Sequence, residues 1–99
     1  MSYSVTFSKE AQEELRETAL YIQKYNPAKA DPFVNSIMDY FTDTLGKFPN
    51  VGVRYAPKIR KLTHKKHTAF YTVNEQQEEV FILHVVDQTK PIEARDIEL

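Results

Sequence analysis

A chain of 99 residues with 41% hydrophobic and 27% charged residues has the composition of a folded domain, and residues 1–99 read as a single one. The absence of cysteine excludes a disulfide framework, thiolate catalysis and a Cys-ligated zinc site. Thirteen Lys and Arg against fourteen Asp and Glu leave a net charge of −1, which lacks the positive excess of proteins that live on phosphate backbones.

No basic n-region with an apolar run opens the sequence, and no apolar stretch reaches the ~18 residues of a membrane span, so the expected location is the cytoplasm. Tyr3, Val5 and Phe7 alternate with Ser4 and Thr6, the pattern of a short half-buried strand. Ser8 is placed to cap a helix whose first turns carry Glu10, Glu13 and Glu14, where the dipole favours acids. With Glu17, these acids are expected to form a solvated face. Ala11, Leu15, Ala19 and Ile22 recur at near-helical spacing, with Tyr21 and Tyr25 flanking, so Lys9 to Tyr25 reads as an amphipathic helix. Asn26-Pro27 ends it, because proline disfavours the α conformation in the residue before it.

The second helix starts at Pro27 or at Pro32, since proline is tolerated at the first helical position and costly inside; Asp31-Pro32 makes a good cap pair. Phe33, Val34, Ile37, Met38, Phe41 and Leu45 line one face. Gly46 reads as its stop and Phe48 to Gly52 as a loop. Three further strands are expected at Ile59 to Thr63, Thr68 to Val73 and Val80 to Val86. They are separated by the turns His64-Lys65-Lys66 and Asn74 to Glu79. Two consecutive helices form an antiparallel hairpin, which returns the chain to the end where the first strand finished. The expected fold is α+β, ordered β-α-α-β-β-β, with an antiparallel sheet covered on one face by the αα-hairpin. The polar tail from Gln88 to Leu99 admits a short helix from Pro91.

The order of particular residues carries a family likeness. It runs through Phe7-Ser8-Lys9-Glu10-Ala11 with Leu15, Tyr21-Ile22 through Asn26-Pro27, and Phe33-Val34 through Ile37. It continues through Leu45 with Phe48-Pro49 and Gly52, Ile59-Arg60-Lys61-Leu62, Phe70-Tyr71-Thr72-Val73, and Val80 to Val86. This set resembles the RelE/ParE superfamily of bacterial type II toxin–antitoxin toxins. The resemblance implies a small toxin neutralised by a cognate antitoxin that wraps around it. RelE-like members cut mRNA in the ribosomal A site, whereas ParE-like members poison DNA gyrase.

The two branches need different chemistry. Metal-free RNA cleavage requires a base for the 2′-hydroxyl, an acid for the leaving 5′-oxygen and cations for the charged phosphorane. On that reading His84 and His67 are the acid–base candidates, and Lys58 and Arg60 the phosphate clamp. Against it, Asp87 stands where related chains often place a basic or His residue, and Lys90 and Arg95 are the only cations after it. A gyrase poison needs only a surface. The sequence is therefore read as a ParE-like gyrase inhibitor with no catalytic residue, cofactor or metal. An mRNA endonuclease and a non-toxic antitoxin-binding module are the alternatives.

Lys58, Arg60, Lys61 and His84 are the candidate target contacts, and Tyr21, Tyr25, Phe33 and Tyr40 the candidate antitoxin groove. Each has a plainer reading. Arg60 or Lys61 pairs with a helix carboxylate such as Glu13 or Glu17. His64 and His67 belong to a solvated turn, and two histidines three apart without a third ligand make no metal site. His84 alternates with Val80, Ile82 and Val86 on one strand face, packed at the core edge, and Tyr71 is core.

Overall fold

The structure, a computed structural model, describes residues 2–88. The chain forms β1 (Ser4–Phe7), α1 (Lys9–Tyr25), α2 (Pro27–Lys47), β2 (Val53–Ala56), β3 (Ile59–His64), β4 (His67–Asn74) and β5 (Glu79–Asp87). Ser8 makes the turn from β1 into α1. Its hydroxyl accepts from the Ala11 amide at 3.0 Å and donates to the Leu83 carbonyl at 2.6 Å, while its own amide donates to the Ile82 carbonyl at 2.8 Å. The cap that starts the helix thus also fastens it to β5.

Asn26 closes α1 and opens α2. Its φ of −154° keeps the residue before Pro27 out of the α region, and its amide donates to the Ile22 carbonyl at 2.7 Å. Of the two candidate starts, α2 uses Pro27, and Pro32 lies inside the helix on its exposed side. Gly46 does not stop α2, which runs on to Lys47. Its reason is contact: the Tyr3 amide donates to the Gly46 carbonyl at 2.7 Å, and a Cβ on Gly46 would lie 3.3 Å from the Tyr3 carbonyl oxygen. A side chain at this position would require the backbone leading into β1 to give by a few tenths of an ångström.

The α+β class and the αα-hairpin on one face of the sheet are as expected; the sheet itself differs in one respect. It has five strands in the order β1-β5-β4-β3-β2, with β1 and β5 parallel and the other neighbours antiparallel, so it is mixed. The added strand is β2, four residues of which three are exposed, and it leaves almost no burial pattern in the sequence. It is the strand that enters the sheet antiparallel to β1. The extra reversal brings β5 alongside β1 in parallel.

The core is made by Ala11, Leu15, Val34, Ile37, Phe41 and Leu45 of the helices against Ala69, Tyr71, Val80, Ile82 and Val85 of β4 and β5. A bulge breaks the alternation of β5. Ile82 faces Tyr71 and His84 faces Phe70, leaving Leu83 between them without a partner in register. Val80, Ile82, His84 and Val86 therefore do not share one face: Val85 replaces Val86 against the helices, and Val86 sits opposite Thr68. The β3–β4 turn is only Lys65-Lys66, at φ 50° and 63°. Positive φ at both central residues is the two-residue hairpin geometry that follows strand twist. The expected helix from Pro91, and Lys90 and Arg95, lie outside the described residues.

Candidate functional site

Antiparallel pairing sends Arg60 and Lys61 to opposite faces of the sheet. Arg60 is opposite Tyr71, and Lys61 is opposite Phe70. On the helix side, Arg60 Nη1 donates to the Gly52 carbonyl at 2.9 Å, and the Gly52 amide donates to the Tyr71 hydroxyl at 2.9 Å. Burial pushes the Tyr71 hydroxyl above the ordinary tyrosine range, and the Gly52 amide and Arg60 charge oppose it only partly. Arg60 thus pairs with backbone and not with Glu13, whose carboxylate lies 3.7 Å from Arg16. Lys61 stands on the helix-free face, its Nζ 5.7 Å from the Tyr55 ring, which packs edge-on to Phe70. Lys58 is exposed between β2 and β3.

The three histidines are all engaged internally. His84 Nδ1 lies 3.2 Å from Glu14 Oε2, and Glu14 Oε1 accepts from the Val85 amide at 3.0 Å. This carboxylate ties the second turn of α1 to the bulged part of β5, so Glu14 is not part of a solvated face. His64 and His67 are a cross-strand pair and not turn residues. The His64 ring stacks on Tyr40 with centroids 3.7 Å apart and planes 3° from parallel. Burial, then the charges of Lys65 and His67, hold His64 below the ordinary histidine value of 6.5. His67 is buried: Nδ1–H donates to the Lys65 carbonyl at 2.9 Å, Nε2 lies 3.9 Å from Asp87, and Phe33 meets the ring edge-on.

Pairing through β4 places His67 against Asp87 and His84 against Phe70, three residues or roughly 10 Å along the strand. His67, His84, Lys58 and Arg60 therefore do not converge on one point. No group of three or more His, Cys, Asp or Glu among the described residues is arranged to hold a metal ion.

The aromatic residues of the helix pair extend from α1 to the hairpin tip, with Tyr21 and Phe33 lining one apolar cavity together with Thr18, Ile22 and His67. Tyr21 and Tyr25 are exposed on α1, 55% and 75%, with ring centroids 5.4 Å apart. Phe33 and Tyr40 instead hold the hairpin tip, Phe33 beneath the Lys65 ammonium and Tyr40 beneath His64. Between α1 and α2 runs a groove floored by Leu15, Ala19, Val34 and Met38 and edged by Arg16 and Asp31. Glu14 escaped the sequence reading, although its signal was present. It lies three residues after Ala11 and four before Thr18, inside the buried stripe of α1.

The family profile of the ParE toxin of the type II toxin–antitoxin system parDE matches residues 5–91. The chain belongs to the ParE toxin family. Solved structures carry the same fold. A chromosomal ParDE system from P. aeruginosa superposes with a TM-score of 0.74 at 22% identity, covering 87% of this chain and 96% of that one. The RelBE2 toxin–antitoxin complex from Mycobacterium tuberculosis follows with a TM-score of 0.66 at 18% identity, covering 88% and 99%. The isolated E. coli RelE toxin gives 0.60 at 15% identity, covering 93% and 90%. Among curated proteins, none matches the sequence. As a ParE-family member, the chain is a toxin of a type II toxin–antitoxin system.

Proposed function

We propose that this ParE-family toxin acts in the cytoplasm by binding DNA gyrase through the exposed cations of the β2–β3 ribbon, Lys58 and Lys61 first, with Arg60 and His84 engaged by Gly52 and Glu14 instead, and that a cognate antitoxin silences it. The observation that carries the reading is that the candidate acid–base residues do not converge, His67 and His84 standing three residues or roughly 10 Å apart along the strand. His84 is bound to Glu14, His64 is stacked on Tyr40, and His67 is buried under Phe33. A poison that works by contact needs no free acid–base pair, and the match to the ParE profile favours that branch. The exposed Tyr21 and Tyr25, with Tyr21 lining an apolar cavity together with Ile22 and Phe33, supply the strip on which an amphipathic antitoxin helix would lie. The test is a supercoiling assay with purified toxin, gyrase, ATP and relaxed plasmid. Inhibition with trapped cleaved plasmid, relieved by the antitoxin, is expected. Undiminished supercoiling at micromolar toxin would sink the gyrase reading.

One observation favours the second reading, a ribosome-dependent mRNA endonuclease. A carboxylate on one imidazole nitrogen is how a general base is oriented, and Glu14 stands in that relation to His84. His84→Ala separates the two: RNA cleavage would collapse, whereas a gyrase poison would keep its activity apart from lost packing.

A further inference from the structure

At the turn end of the β2–β3 hairpin lies a cavity of ≈ 500 Å³ into which Arg54, Lys58 and Arg60 all contribute. Arg54 and Arg60 are direct cross-strand partners, so two guanidinium groups stand on one face of the ribbon, an arrangement that repels when nothing lies between them. No ion pair among the described residues compensates, and Arg54 and Lys58 form none. The sequence from Thr44 to Asn74 contains no Asp or Glu. Glu75 lines the cavity without reaching salt-bridge distance of any of the three cations. Arg60 is held in place by its bond to the Gly52 carbonyl, so one half of the repelling pair cannot swing away without breaking it.

We propose that this cavity binds a phosphoryl group carried by a small phosphorylated molecule of nucleotide size. Three cations against one carboxylate leave two positive charges, the complement of a phosphate monoester dianion. Two guanidinium forks match its oxygens in a way that ammonium groups do not. Asn50 and Asn74 at the rim add amide donors, and Ile59 and Val73 give an apolar wall for the rest of the molecule. The proposal does not depend on gyrase being the target, since binding is measured on the toxin alone.

The experiment is a titration of the full ¹⁵N-labelled chain with inorganic phosphate and with 5′-AMP, in physiological chloride. Both are expected to shift the same amides, those of Arg54, Ile59, Arg60 and Asn74. Arg54→Gln should weaken both about tenfold. Lys58 is exposed and outside any strand, so Lys58→Gln keeps the fold and gives a second reading, a loss of a few-fold. Shifts no larger than those of added chloride, or unchanged binding in Lys58→Gln or in folded Arg54→Gln, would overturn the proposal. Arg54 would then be a charge that only blunts an open sheet edge. Tighter binding of a short RNA without terminal phosphate than of AMP at these amides would overturn it in favour of backbone binding.

Discussion

A single carboxylate, that of Glu14, decides how α1 sits on β5. It meets the Val85 amide where β1 has ended and can no longer pair with β5, and it meets His84 where the bulge has turned the backbone. Removing it leaves a half-buried amide and an imidazole without their acceptor. Glu14→Ala is expected to cost about 1–3 kcal/mol. That is a fall in Tm of roughly 4–8 °C per kcal/mol for a domain of this size. Glu14→Gln keeps an oxygen for Val85 and should cost less. A double-mutant cycle with His84→Ala checks the pairing: if the two losses simply add, Glu14 and His84 are not coupled.

His64 gives the second residue-scale prediction. Its folded-state pKa lies below 6.5, so beneath the ordinary histidine range the unfolded chain binds more protons than the folded one. The stability it contributes is present above pH ~6.5 and is lost as pH falls through the depressed folded value. His64→Phe retains a ring to stack on Tyr40 and removes the titration. Its Tm should therefore fall less than the parent's between neutral and mildly acid pH. An identical pH slope in both proteins would exclude His64 as a source of the acid sensitivity.

At the scale of elements, the β3–β4 hairpin carries a visible cost. Lys65 and Lys66 both occupy the left-handed region, where a side chain is disfavoured by roughly 1–2 kcal/mol per residue and where Asn-Gly is the preferred pair. The hairpin forms nonetheless because its flanks are held: His64 on Tyr40, the Lys65 ammonium over Phe33, and the Lys65 carbonyl on His67. Replacing Lys65-Lys66 by Asn-Gly should relieve the strain while losing the Phe33 contact. A net gain of about 1 kcal/mol is expected, read as a Tm rise of a few degrees. A fall in Tm would mean that the Lys65 contacts outweigh the strain.

Elements with their own periodicity were legible in the sequence. The stripe of Ala11, Leu15 and Ala19 gave α1 to the residue, and the apolar run after Val80 gave β5. What depends on tertiary contact was not. β2 has no buried side to alternate, Gly46 is fixed by the approach of Tyr3, and the β5 bulge is set by Ser8 holding the Ile82 and Leu83 carbonyls. The candidate site suffered most from this. Assigning His67 to a turn and Glu14 to solvent hid two buried contacts, and nothing local announces that Arg60 will reach back to Gly52.

Across the whole molecule, the exposed tyrosine pair of α1 and the exposed cations of the β2–β3 ribbon sit on different elements. Helix α1 presents Tyr21 and Tyr25, exposed and with ring centroids 5.4 Å apart, while the acid-free stretch from Thr44 to Asn74 carries the cations of β2 and β3. If the antitoxin lies on the first and the target meets the second, the two activities should come apart by mutation. Tyr21→Ala with Tyr25→Ala removes two rings that the core does not use, so the Tm should stay within about a degree or two of the parent. Paired exposed tyrosines are the residue type that dominates interface energy, and their joint loss should weaken antitoxin binding by about 2 kcal/mol or more, over tenfold in Kd. Toxicity in cells lacking the antitoxin should be unchanged, whereas rescue by co-expressed antitoxin should weaken. Calorimetry on purified toxin and antitoxin measures the first effect, and growth with and without the antitoxin measures the second. Full-strength binding by the double variant would move the antitoxin off this face and onto the sheet.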